Sequence, residues 1–111
     1  MSFEAFDVVV VPFPFTDRSS TKRRPALVLS GRDTFNHPSG HSVLAMITSA
    51  KQSRWPLDVE ITDLDSAGLP SASVARMKLF TLADPLVIRK AGVLAKVDQR
   101  AVAESLVRLL G

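Results

Sequence analysis

The chain has 111 residues, 46% of them apolar and 23% charged, with a net charge of +3 and no cysteine. That length suits one compact domain, residues 1–111, and is too short for two. Lack of cysteine excludes disulfides, thiolate catalysis and Cys-based zinc sites. The first residues carry Glu4 and Asp7 rather than the basic segment of a secretory signal, and no apolar run is long enough to span a bilayer. A cytoplasmic protein without a membrane partner is therefore expected.

In chain order, Val8 to Val11 is an unbroken β-branched run and predicts a strand buried on both faces. Pro12 and Pro14 limit its continuation in a ladder. A polar loop ends in Lys22-Arg23-Arg24-Pro25, and a second strand is predicted over Ala26 to Ser30, with Pro25 suited to its first position. Gly31 to Gly40 is rich in Gly, Asn, Pro and Ser and reads as a loop. A third strand, Ser42 to Ser49, ends in the hydroxyl pair Thr48-Ser49. After a connection carrying Lys51, Arg54 and Trp55, the alternation of Leu57, Val59 and Ile61 with Asp58 and Glu60 predicts a half-exposed fourth strand. Asp63 to Pro70 reads as a turn or a single helical turn closed by Gly68. Ser73 to Met77 and Lys78 to Leu82 read as short strands with no turn between them, which implies a sharp bend or bulge. Leu86 to Arg89 predicts a last short strand. The C-terminus predicts a helix capped by Asp98, with an apolar stripe of Val102, Leu106, Leu109 and Leu110. Many short strands and one terminal helix give a mainly β protein, a small β-barrel with a helix packed on it.

Charge is distributed unevenly. Residues 1–56 hold seven Lys/Arg against four Asp/Glu, whereas residues 57–111 hold seven against seven. The whole excess lies in the first half, a pattern that favours a polyanionic partner such as nucleic acid, or an acidic protein. Pro25 biases Arg24 toward an extended backbone, and a guanidinium held in place suits bidentate capture of a phosphate; an ordinary solvated basic turn has the same composition. If the second and third strands are antiparallel neighbours, Arg24 and Thr48 meet at one edge of the sheet, a guanidinium and a hydroxyl facing one point. Thr is also common at strand ends on β propensity alone. Lys51, Arg54 and Trp55 could hold a nucleic-acid backbone while a base stacks on the ring, or the single Trp could lie half-buried against the barrel. His37 and His41 stand four apart in a loop without a readable helix, so no metal site is expected. Asp58, Glu60, Asp63 and Asp65 read as a solvated strand face and turn.

The run Asp7-Val8-Val9-Val10-Val11-Pro12-Phe13-Pro14-Phe15-Thr16-Asp17, then Lys22-Arg23-Arg24-Pro25-Ala26-Leu27-Val28-Leu29-Ser30, then Ile47-Thr48-Ser49, resembles the MazF/PemK-like toxins of bacterial type II toxin–antitoxin systems. The resemblance covers nearly the whole chain. It implies an SH3-like barrel, a homodimer, and a metal-independent endoribonuclease without cofactor that cuts single-stranded RNA at short sequences. It also implies an antitoxin whose acidic, flexible segment blocks the RNA groove. Carried over, Arg24 matches the family's catalytic arginine before the proline and Thr48 its catalytic threonine. RNA contacts are then expected from Lys22, Arg23, Ser49, Lys51, Arg54 and Trp55, and by a looser match from Lys78. Two departures stand out: relatives usually have Gly where this chain has Phe6, and several have an acidic residue in the loop before the arginine, here Arg18-Ser19-Ser20-Thr21-Lys22-Arg23. Two further readings remain at this point. One is a gyrase-poisoning toxin of the same barrel, which would use C-terminal residues, although the ending Val107-Arg108-Leu109-Leu110-Gly111 has no tryptophan. The other is a catalytically silent module binding RNA or an antitoxin.

Overall fold

The computed structural model describes residues 2–13, 22–51 and 54–111. The polar loop before Lys22, with its departure from an acidic pattern, lies outside the described residues. Six strands form one antiparallel sheet: β1 (Asp7–Pro12), β2 (Arg23–Val28), β3 (His41–Ser49), β4 (Val59–Glu60), β5 (Ser73–Ala83) and β6 (Arg89–Val93), in the order β4-β5-β3-β2-β1-β6. The sheet curls into a half-barrel beneath the C-terminal helix, the mainly β architecture expected.

Successive side chains of a strand point to opposite faces, and the two apolar clusters follow that alternation. Val8, Leu27, Ala45, Ile47, Val59 and Ala75 belong to one cluster, which Leu94 and Val102 complete. Val9, Val11, Ala26, Val28, Leu44 and Leu82 form the other, with Phe3, Phe80 and Val87 packed against it. β1 is thus buried on both sides, as its unbroken valine run predicts.

Two short helices and a long one finish the fold. α1 (His37–Ser39) follows a π-turn over Arg32–Asn36, so the segment expected to be a loop is helical. The cause is Asn36, which is fully buried: its Nδ2 donates to the carbonyls of Phe3 (2.7 Å) and Ser30 (2.9 Å), and its Oδ1 accepts from the Ser30 hydroxyl. α2 (Leu64–Ala67) is the expected single turn, capped by the Asp63 side chain and ended by Gly68 at φ 70°. It links the two sheet edges, since it follows β4 in the chain yet packs on β6. A Cβ on Gly92 would stand 2.4 Å from the Ser66 carbonyl oxygen, and one on Gly68 would stand 2.2 Å from that of Ala91. Only glycine allows this approach.

α3 (Lys96–Leu110) carries the expected apolar contact through Val102 and Leu106, but Leu109 and Leu110 are exposed. Asp98 does not cap it; Ala95 occupies that position. The Asp98 carboxylate is buried and accepts from the Thr62 N–H, the Thr62 hydroxyl (2.7 Å) and the Asp63 N–H (3.1 Å), tying α3 to the connection between β4 and α2.

Other boundaries move for stated reasons. β2 begins at Arg23 rather than Ala26, because its pairing with β1 runs from Leu27 out to Arg23 opposite Pro12. The fourth strand shrinks to two residues because Leu57 is turned to φ 66°. The two short strands expected over 73–82 are one, β5, broken by the expected bulge: Met46 faces Arg76 but Ala45 faces Leu79, leaving Met77 and Lys78 unmatched. A 3₁₀ turn over Asp84–Leu86 replaces the start of the last predicted strand, and β6 begins at Arg89. Phe6, where the resemblance led us to expect Gly, adopts φ 72°. Its N–H and carbonyl are both bonded, to Val28 and Leu94, so β-sheet hydrogen bonds and the packing of its ring hold a conformation that costs an L-residue roughly 1–2 kcal/mol.

Candidate nucleic-acid interface

The β2–β3 ladder pairs Ala26 with Met46, Leu27 with Ala45 and Val28 with Leu44, and goes no further toward the loop. Pro25 has no N–H to offer the next rung. Continued by two residues, the same register sets Arg24 opposite Thr48, on the face of Ala26 and Met46. So Arg24 and Thr48 lie on one face, at the end of the sheet where the ladder stops. Arg24 is exposed, and its guanidinium carbon lies 5.8 Å from the centroid of the Phe13 ring. Phe13 belongs to the same row, since its N–H bonds the Lys22 carbonyl at 3.0 Å and extends the β1–β2 pairing. Ring and proline together restrict where the guanidinium can point.

Alternation separates residues that the sequence places side by side. By strand alternation Lys22 and Arg24 share a face and Arg23 stands on the other; a small hollow of about 260 Å³ beside Arg89 and Pro70 is bordered by both arginines. Thr48 and Ser49 part in the same way. The Ser49 hydroxyl accepts from the Lys51 N–H at 3.2 Å and so belongs to the turn that follows β3.

From Thr48 the same face continues across β5 to β4. Thr48 pairs with Val74 and Val74 with Glu60. Beside this row lies a groove of about 560 Å³ lined by Arg54, Trp55, Asp58, Glu60, Val74 and Arg76. Trp55 is 40% exposed. The Lys78 ammonium sits 4.6 Å from its ring centroid and the Arg76 guanidinium carbon 5.8 Å. The β5 bulge puts both cations within reach of one ring. Lys51 and Arg54 are exposed in the connection leading to it.

Asp58 and Arg76 are the pair that sequence reasoning missed. Arg76 Nε donates to Asp58 Oδ1 (3.2 Å) and Nη2 to Oδ2 (3.0 Å), with side chains only 11% and 18% exposed. Asp58 is therefore not part of a solvated face. Its Oδ2 also accepts from the Trp55 N–H, and its own N–H donates to the Trp55 carbonyl. This is a turn with Pro56 in second place and Leu57 in the left-handed third place that usually takes Gly. Such a conformation persists only where surrounding contacts enforce it, and here it holds the indole out. The single Trp after a basic connection gave one signal; nothing local in the sequence joined Asp58 to Arg76.

The ring face now beside a cation is also of a kind that can take a flat base. An exposed cation–π contact contributes about 0.5–1 kcal/mol, whereas a stacked base contributes about 1–3 kcal/mol. The two histidines lie elsewhere. His41 opens β3 opposite Ala83, seven residues and roughly 23 Å along the strand from Thr48, and His37 contacts Ser2. Among the described residues no group of three or more His, Cys, Asp or Glu could hold a metal ion, and no helix is long and apolar enough to cross a membrane.

The sequence profile of the PemK-like, MazF-like toxins of type II toxin–antitoxin systems matches residues 4–110. No curated protein matches the chain. Solved structures share its fold. The MazE–MazF complex from Deinococcus radiodurans (form II) is 22% identical, over 100% of this chain and 97% of that one, with a TM-score of 0.77. MazF from the same organism (form I) is 23% identical over 100% and 98%, with a TM-score of 0.76. An endoribonuclease in complex with its cognate antitoxin from a Mycobacterial species is 15% identical over 99% and 94%, with a TM-score of 0.76. With a profile that spans all but the ends, the chain belongs to the PemK-like, MazF-like toxin family of type II toxin–antitoxin systems.

Proposed function

We propose that this protein is a toxin that cuts single-stranded RNA without a metal ion. The observation that carries the reading is the placement of Arg24 and Thr48 on one face, at the end of the β2–β3 ladder, with a cationic, Trp-bearing groove continuing from them. RNA supplies its own nucleophile. Its 2′-hydroxyl gives up its proton to solvent and attacks the adjacent phosphorus, the bond to the 5′-oxygen breaks, and that oxygen takes up a proton from solvent, so the products are a 2′,3′-cyclic phosphate and a free 5′-hydroxyl. The protein must align the attack and stabilise charge developing on the phosphoryl oxygens. A guanidinium has five N–H donors and no acceptor, so Arg24 grips the phosphate and stabilises its charge. Thr48 donates its hydroxyl to a non-bridging oxygen. Lys22, Lys51, Arg54 and Lys78 neutralise neighbouring phosphates, and Trp55 stacks a base. Arg23 and Ser49, turned to the other face, contribute at the edge of the footprint.

In this reading residues 1–111 form one toxin domain that acts in the cytoplasm, pairs with a second copy, and is silenced by an antitoxin segment. The basic groove suits an acidic, flexible segment by charge, and the exposed Val97, Val107 and Leu110 leave α3 with apolar surface for a partner. The test is direct. Purified protein should cut a single-stranded transcript in excess EDTA and leave 5′-hydroxyl ends. Intact RNA after incubation at micromolar protein would refute the reading, and stalled gyrase beside intact RNA would favour the gyrase-poisoning alternative.

A further inference from the structure

The groove beside Trp55 holds two carboxylates, and only one of them is committed. Asp58 gives both oxygens to Arg76 and one also to the Trp55 N–H. Glu60 is exposed, and no hydrogen bond or ion pair holds its carboxylate among the described residues. Its position is nevertheless fixed by pairing. Glu60 faces Val74, which faces Thr48, so it lies on the face of Thr48 two strand spacings away, roughly 10 Å.

A carboxylate repels phosphate oxygens. In a groove that binds RNA, its favourable partner is an N–H donor on a base. An ionised carboxylate only accepts, through two oxygens side by side. The four bases differ on the edge they would present. Guanine offers two adjacent donors, N1–H and the N2 amine. Adenine and cytosine each place a ring-nitrogen acceptor beside their amine, and uracil flanks its single N–H with two carbonyls. Only guanine matches both oxygens without an opposed lone pair. The neighbouring indole offers a flat surface on which a purine overlaps well.

We propose that Glu60 and Trp55 form a guanine-reading subsite: the base stacks on Trp55, and Glu60 accepts from N1–H and the N2 amine. The subsite lies a short way along the RNA from the phosphate held by Arg24 and Thr48. This rests on the reading of the chain as an RNA-cutting toxin, and it names the base that such a toxin selects beside the cut.

The experiment uses the full chain and two sets of single-stranded oligonucleotides, each carrying one guanosine at successive positions around the cleaved bond. Inosine, which lacks only the N2 amine, and adenosine replace that guanosine in parallel. The first set is cleavable; the second is 2′-O-methylated, cannot be cut, and reports binding by fluorescence anisotropy. At one flanking position, kcat/KM and affinity should both fall about 10-fold from guanosine to inosine, and further to adenosine, in line with loss of a bidentate base contact. Glu60→Gln should shrink the guanosine-to-inosine ratio below about 2-fold. Trp55→Ala should weaken binding of guanosine, inosine and adenosine alike. Equal use of guanosine and inosine at every position, or a ratio that survives Glu60→Gln, would overturn the subsite even if the RNA is cut efficiently. If nothing is cut but the methylated set retains the order guanosine, inosine, adenosine, the subsite stands and the catalytic reading falls.

Discussion

On one face of the sheet, Val8, Leu27, Ala45 and Ile47 are sealed under α2 and α3, with Val102 driven into the contact and Asp98 fastening the helix to the β4–α2 connection. On the opposite face, Val9, Val11, Ala26 and Leu44 are just as buried, but the apolar floor gives way toward one end to Arg24, Thr48, Arg76 and Glu60. The same strands build both. β2 contributes Leu27 to one face and Arg24 to the other, β3 contributes Ile47 and Thr48. The contrast shows how a chain of this length carries an exposed polar edge: every strand that presents a polar group on the open face is anchored by an apolar neighbour on the sealed one.

That division can be broken from either side. Removing the guanidinium should have the largest effect on function. Arg24→Ala is expected to lower the cleavage rate about 1,000-fold, the upper end of what a single charge-stabilising donor contributes, while the urea midpoint barely moves because the residue is exposed. Full activity in this variant would remove Arg24 from the mechanism. Leu27→Ala, three residues along β2 on the sealed face, should do the reverse. Its side chain is wholly buried, so truncation should cost about 2–5 kcal/mol of stability by urea titration, while the folded fraction cleaves at the parent rate per molecule. A loss below 1 kcal/mol would mean that the sealed face is not the main source of stability.

Thr48→Val keeps shape and volume and removes the hydroxyl. A fall of roughly 100-fold in rate with little change in melting temperature is expected. Ser49→Ala should leave the rate within a few-fold, because Ser49 faces away; equal losses in the two variants would show that the end of β3 is twisted out of alternation. The smallest effect sharpens the comparison most. Lys22 and Arg23 carry the same charge and are adjacent, but only Lys22 shares the Arg24 face. Lys22→Ala should make the slope of log affinity against log salt shallower by about 0.7, one phosphate contact to a single strand. Arg23→Ala should change it by less than half as much. Identical slopes for the two variants would mean that RNA wraps the edge of β2 instead of lying on one face.

Much of this arrangement was legible beforehand because it rests on local periodicity. The valine run of β1, the hydroxyl pair ending β3, the Asp63-to-Gly68 turn and the break in β5 are each written in consecutive residues. The misreadings have a common source in partners distant along the chain. Asn36 makes its loop helical through Phe3, 33 residues away. Asp98 looked like a helix cap but bonds Thr62 and Asp63, 36 and 35 residues away. Asp58 looked solvated but pairs with Arg76, 18 residues on. Starting β2 at Ala26 instead of Arg23 concealed that Arg23 and Arg24 stand on opposite faces, because alternation can be counted only once the strand is known to include them.

By itself the sequence determined where most strands and the terminal helix lie, that Pro25 restricts Arg24, that the excess positive charge lies in the first half, and that the chain resembles the PemK-like toxins. These follow from each residue's own backbone preference and charge, which neighbours along the chain barely alter. Tertiary structure alone decided that the β2–β3 ladder stops beside Arg24 and Thr48, that the β5 bulge brings Lys78 over Trp55, and that Asp58 is spent on Arg76 while Glu60 is left open to the groove. Those outcomes depend on strand register, and register is set by which buried side chains fit together across the sheet.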